Sequence, residues 1–416
     1  MDNFVIILFC LIAILYLYYL YRKRIYVATM FWLGSFFISF LIPNLSGEKF
    51  GLGYIPNSKV FLQLNFYYLI LLLTFIVANF FVTHLYLKRI KWPYLSLDYK
   101  VLNRVNIIYL IFSLPVLLIE KDTLFKGGHP SNSPIEILKS ITVFGLILSS
   151  LTKILYCKTK KQKIYSTIIL VYAVLFGIAV SFARRFIIFP IIITVFFWFI
   201  INYKKPKIVN VVISLFLLLF FIMPLMINIR TFGFIDGFKL YTELLFKNFE
   251  VYFDYLKMST DVSWSYWLAS IIIEKNIEID PIILLKPLAI FIPRSIWENK
   301  PLPMSLQIAR DLNLSDNTLL SVPAGIVGEA YGYFGIFGVM MWGWIWGAVT
   351  AYLDKEIQIK LNERDNSLNI LILITLSIQI ITGAIRGDIA TTLIETEFIV
   401  FPFIIILLFS RFSYKI

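Results

Sequence analysis

Between Asn65 and Val82 the chain reads NFYYLILLLTFIVANFFV, a stretch without one charge. A helix needs roughly 20 apolar residues to cross the hydrocarbon of a bilayer. Inside that layer each backbone N–H and C=O has to find its partner within the segment, so such a run is helical. Comparable runs recur at about 4–20, 25–43, 60–82, 105–119, 136–156, 164–181, 186–203, 208–228, 325–353, 367–384 and 390–410. About eleven transmembrane helices follow, and the expected fold is all-α and polytopic. Composition agrees, with 59% of residues apolar and 15% charged, against roughly 45–50% and ~25% in a soluble domain.

A net charge of +13 would point to nucleic acid in a soluble protein. Here the cations stand in short loops between apolar runs. Arg22/Lys23/Arg24, Lys88/Arg89/Lys91, the Lys158 to Lys163 cluster, Lys204/Lys205/Lys207 and Lys355/Lys360/Arg364 follow the first, third, fifth, seventh and ninth runs. All fall on one side, which the positive-inside rule makes cytoplasmic, and nucleic acid is excluded as a partner. The N-terminus is then expected outside and the C-terminal RFSYKI inside. The first run has no basic residue before it and no small-residue cleavage site, so it is expected to be a retained span. Both cysteines, Cys10 and Cys157, lie outside the long loop described next, and no disulfide framework is implied.

Three regions follow: an N-terminal membrane bundle over 1–228, a long external loop over 229–323, and C-terminal spans over 324–416. Within the loop, Asp236 to Met258 repeats apolar residues at three and four with charges between, the pattern of an amphipathic helix on the membrane surface or over the bundle. Val262 to Glu274 is expected to form a second helix. Pro281 to Pro293 is apolar but too short to span, and reads as re-entrant or interfacial.

Three groups of residues at the outer boundary can carry chemistry. The first is a set of arginines, Arg184 and Arg185 in a tight turn, Arg230, Arg294, and Arg386 in the string RGD. Outer loops tolerate isolated cations, but five facing one compartment favour a shared anionic ligand, and a diphosphate matches the bidentate geometry of arginine. The second is the string GEAYGYFG. Gly325 just before it and its own Gly328, Gly332 and Gly335, spaced three, four and three, are expected on one helical face, with Gly343 and Gly347 as a further small pair for close helix packing. Glu329 within it is a costly carboxylate at the hydrocarbon boundary, either a catalytic base or a counter-ion to an arginine. The third group is Asp388, Glu395 and Glu397; Asp388 can act directly, and the glutamates can neutralise arginines. Trp264, Trp267 and Trp297 can stack on sugars or serve as interfacial anchors.

What is missing narrows the chemistry further. His84 and His129, the two histidines, belong to opposite membrane faces, so no histidine-rich metal site is expected. No P-loop and no Asp-x-Asp pair is present, so no metal and no cofactor is expected.

The long external loop, the string IPRSIWENKP at 292–301 near its end, and GEAYGYFG opening the next span together resemble the O-antigen polymerase (Wzy-type) family of oligosaccharide repeat-unit polymerases. The resemblance implies an enzyme of the bacterial cytoplasmic membrane, working on its external face in surface polysaccharide synthesis. It would move a growing glycan from undecaprenyl diphosphate to the terminal sugar of a new lipid-linked unit, with membrane lipid and a chain-length-determining co-polymerase as partners. It places Arg294 and Lys300 at the basic positions of the loop string, Glu329 at the acidic position of the glycine-rich string, and Arg184 and Arg230 among the external arginines. The reaction calls for cations to hold the departing diphosphate and a carboxylate to take the acceptor proton. Glu329 or Asp388 is the expected base, and Arg184, Arg185, Arg230, Arg294, Lys300 and Arg386 are the expected diphosphate ligands. A related ligase, which moves the finished glycan to another acceptor, and a flippase of lipid-linked sugars are the alternatives.

Overall fold

A computed structural model describes residues 2–23, 27–46, 57–84, 94–96, 99–119, 135–181, 223–248, 261–288, 304–311, 323–362, 367–387, 389–408 and 411–413, with a few isolated positions between them. Its helices in chain order are α1 (Asp2–Lys23), α2 (Val27–Ser46), α3 (Ser58–His84), α4 (Tyr99–Ile119), α5 (Ile135–Tyr156), α6 (Lys160–Ser181), α7 (Met223–Phe232), α8 (Phe234–Lys247), α9 (Asp261–Lys275), α10 (Met304–Asp311), α11 (Gly325–Asn362), α12 (Ser367–Arg386) and α13 (Ile389–Leu408). A three-residue antiparallel ribbon, β1 (Tyr94–Ser96) with β2 (Arg411–Ser413), is the strand structure among the described residues. Four described stretches are long and apolar enough to cross a membrane: Ser58–His84, Tyr99–Ile119, Gly325–Leu361 and Asn369–Arg386. Phe4–Leu20, Ala28–Asn44 and Ile141–Ile154 are shorter apolar helices. The expected run over 186–203 and most of that over 208–228 lie outside the described residues.

The chain forms two compact units, each assembled from distant segments. The first joins residues 1–87, 257–358 and 377–395. Its core is aromatic where α1, α2 and α3 meet: Trp32 stacks on Phe75 at 3.8 Å between centroids, Phe9 meets Phe40 at 3.9 Å, and Phe36 lies over Tyr68 at 5.3 Å. Helices in lipid gain little from apolar burial against one another, so close packing and polar cross-links hold them. Asn79 of α3 supplies such a link. Its Oδ1 accepts from Tyr16 of α1 at 2.8 Å, and its Nδ2 reaches Thr29 of α2 and Gly347 and Thr350 of α11 at 2.9–3.2 Å. Gly343 and Gly347 make room for this contact, because a Cβ on either would overlap the α3 backbone at Leu71 or Phe75.

Two elements differ from what the sequence suggests. The stretch over Val262–Glu274 is helical, as expected of the loop, but α9 is buried continuously from Ser265 to Ile273. Tyr266 donates to Asn65 at 2.6 Å, and the small Ala269 faces Gly328. Trp267, only 5% exposed, packs in this core and presents no face to a sugar. The ninth apolar run is not one straight helix either. Phe334 and Gly335 leave helical dihedrals, with Gly335 at φ 59° and ψ −146°. Beyond the bend Gly338 comes against the carbonyl of Ala330, although eight residues of straight helix would separate them by about 12 Å. Gly335 therefore belongs to a bend, and the four glycines do not share one face of a continuous helix.

The second unit joins residues 88–256, 359–376 and 396–416. In it α4, α5 and α6 pack together, and the Asn106 amide donates to Ser149 and Ser150 at 2.8 and 3.0 Å. The fully buried Lys153 is held by Asn103 at 2.8 Å and lies 4.6 Å above the Tyr165 ring. Helices α7 and α8 meet at Gly233, which has φ 81°, and cross so closely that a Cβ on Gly237 would strike the Asn228 backbone. Of the amphipathic helix expected over Asp236 to Met258 the structure shows α8, which ends at Lys247 with Asn248 as its cap; in it Phe234, Ile235, Phe238 and Phe246 remain about half to four-fifths exposed. These are the residues that would enter a lipid surface.

Candidate functional site

The best-defined constellation lies where α11 begins and α12 turns into α13. Gly387, at φ 78°, closes α12 with its N–H directed at Gly383 O and Ala384 O, both at 3.1 Å, a glycine C-cap. A Cβ at this position would overlap the backbone of Gly325, itself at φ 69°. These two glycines therefore permit backbone-to-backbone contact between Gly387 of RGD and Gly325, three residues before GEAYGYFG.

Glu329 secures the contact. Its side chain is 0% exposed, and Oε1 accepts from Ile389 N at 3.1 Å and from Tyr333 OH at 3.0 Å. Ile389 is the first residue of α13, and its N–H is one of the donors that a helix start leaves without an intrahelical acceptor. A carboxyl group from another helix serves it here, as an N-cap side chain would. Glu329 thus fixes the start of α13, close in the chain to Arg386 and Gly387. Arg386 is exposed at the end of α12, and Asp388, between Gly387 and Ile389 in the chain, lies outside the described residues.

Of the other expected diphosphate ligands, Arg230 is in α7, which belongs to the second unit. Arg184, Arg185, Arg294 and Lys300 lie outside the described residues. Glu395 and Glu397 fall within α13. Arg386 and Glu329 are therefore the expected site residues that the structure brings to one place.

Asp354 was not singled out by its sequence context, YLDKEIQIK, which reads as a solvated charged end. It is 0% exposed, and its two oxygens accept from Ala28 N at 2.7 Å and Thr29 N at 2.9 Å. It caps α2 at one end of α11 as Glu329 caps α13 at the other. The signal available in the sequence was weak: one acidic residue among the mixed charges that end the ninth apolar run.

Fold and site define a helical membrane protein in which buried carboxyl groups of one helix fix the starts of two others. No family model, curated protein or solved structure matches the chain.

Proposed function

We propose that the chain polymerises lipid-linked oligosaccharide repeat units, through about eleven spans and with the 229–323 loop on the external face of a bacterial cytoplasmic membrane. The observation that carries this reading is the junction of the RGD turn with GEAYGYFG. Two strings separated by some fifty residues of sequence, each selected for its chemistry, are joined by Glu329 and by the contact between Gly387 and Gly325.

In the proposed reaction an acceptor sugar hydroxyl attacks the anomeric carbon of the donor glycan. A new C–O bond forms as the bond to diphosphate breaks, and the diphosphate departs as an anion on its undecaprenyl chain. Arg386 holds the diphosphate charge of donor or acceptor, and Arg184, Arg185, Arg230, Arg294 and Lys300 are the further candidates for that role. A carboxylate takes the hydroxyl proton. Because one oxygen of Glu329 already serves α13 and Tyr333, Asp388 is the better base. The direct displacement inverts the anomeric centre and uses neither nucleotide nor metal.

The test is chain growth by purified protein in proteoliposomes supplied with undecaprenyl-diphosphate-linked units. Lengthening without divalent metal or nucleotide is expected, and a requirement for Mg²⁺ or ATP would overturn the mechanism. A flippase is the rival reading from another class, and the broken α11 is in its favour, because transporters hold substrates at discontinuous helices. Movement of the lipid-linked unit across the bilayer without lengthening would decide for it.

A further inference from the structure

At the bend in α11 a cleft of about 440 Å³ opens between residues 276–281, which follow α9, and residues 331–335. Irregular backbone in a membrane helix persists where it lines a cavity, and this bend does. The Gly335 conformation is one that L side chains rarely adopt, yet a Cβ there would meet nothing within 4 Å. The glycine is therefore required by the backbone path and not by a packed neighbour. An observed outlier of this kind, next to an open cavity, points to function.

The walls state what the cleft would take. Burial alternates along residues 277–280, with Ile277 and Ile279 buried and Glu278 and Asp280 exposed; Asp280 Oδ1 accepts from Ile282 N at 3.0 Å and caps the next turn, which leaves the Glu278 carboxylate as the open one. Ile279 N donates to Gly332 O at 2.8 Å and ties this segment to the bend. Tyr331, whose OH donates to Asn276 Oδ1 at 3.4 Å and whose ring stacks on Tyr67, forms the opposite wall. Phe334 is 45% exposed at the rim. Carboxylate and amide acceptors beside an open aromatic ring match a pyranose, with hydroxyls at its edge and an apolar C–H face. The same carboxylates repel phosphate. Just beyond the bend, Ile336 and Phe337 are 47% and 67% exposed, which sets the cleft at an apolar border.

We propose that this cleft is a saccharide subsite. It takes a neutral, N-acetylated or amino sugar of the glycan and excludes uronic acids and diphosphate. The proposal deepens the polymerase reading and rests on it for the source of the sugar, but binding can be tested without turnover. Ile336→Cys, in full-length protein with Cys10→Ser and Cys157→Ser, places a thiol beside the cleft and leaves Phe334 in place. Maleimide labelling in nanodiscs is then followed with free oligosaccharides as probes: maltotetraose, chitotetraose, its de-N-acetylated form and oligogalacturonate, together with inorganic diphosphate. At least one of the first three should slow labelling about tenfold at tenfold excess over its Kd. Phe334→Ala or Glu278→Gln should remove the protection without lowering the thermal midpoint.

Protection by none of the first three sugars, or equal protection by diphosphate or oligogalacturonate, would overturn the subsite. Failure of chain growth with sugar protection intact would count against the polymerase reading alone. Asp388→Asn should leave the protection unchanged.

Discussion

Glu329 carries two separable duties, and its variants distinguish them. Alanine removes the acceptor of both the Ile389 N–H and the Tyr333 hydroxyl in a site with no exposure. Leaving buried donors unserved costs about 1–3 kcal/mol each, so Glu329→Ala should lower the denaturation midpoint in detergent clearly. Glutamine retains the acceptor oxygen, so Glu329→Gln should fold normally and keep chain growth, whereas Asp388→Asn should abolish growth. Loss of growth in a well-folded Glu329→Gln protein would return the base role to Glu329. At the other end of α11, Asp354→Ala strips two acceptors from the start of α2 and should destabilise by about 2–4 kcal/mol. Asp354→Asn, keeping one oxygen, should lose less, as read from the same thermal scan.

Along α11 two glycines are required for opposite reasons. Gly335 has an unfavourable backbone for any L side chain and open space around it, so Gly335→Ala should cost about 1–3 kcal/mol, and Gly335→Leu little more. Gly347 has the reverse problem, because its Cβ would strike Phe75 O and crowd Ala78 Cβ at 2.9 Å. There the loss should grow with side-chain size as α11 is pushed from α3 and the Asn79 amide leaves Gly347 O. A series of Ala, Val and Leu at both positions, compared by thermal midpoint, separates the two.

These elements also mark how far the sequence could be read. The apolar runs of α3, α4, α11 and α12 declare themselves, because composition alone determines which segments lipid can hold. The bend was hidden, since GYFGIFG keeps an apolar, helix-like pattern straight through Gly335, and period says nothing of a dihedral. The burial of α9 was hidden too, since Asp261, Glu274 and Lys275 at its ends make it look like a loop helix. Glu329 was noticed for its cost in lipid, but its acceptor role toward Ile389 joins residues sixty positions apart, which no local spacing reveals. The arginine set was visible as chemistry, but whether its members share a site is a matter of tertiary structure, and among the described residues only Arg230 and Arg386 are placed, in different units.

The first unit has an internal polarity that does not depend on hydropathy. Asp354, near the C-terminal end of α11, holds the N-terminus of α2, and Glu329, near its N-terminal end, holds that of α13. The start of α2 therefore lies at the end of the unit opposite the start of α13. The alternation of charges assigns the same two ends on separate grounds, with Arg22, Lys23 and Arg24 before α2 and Lys355 beside Asp354 forming one basic border. Glu278, on the segment tied to Gly332, should then face outside. In intact cells a membrane-impermeant maleimide should label Glu278→Cys and spare Lys355→Cys, which should react only after permeabilisation; both variants carry Cys10→Ser and Cys157→Ser. Labelling of Lys355→Cys from outside would invert the unit and place Arg386 and the cleft in the cytoplasm. Glycan assembled outside the cell could not reach either there, and the proposed polymerase would be excluded along with its saccharide subsite.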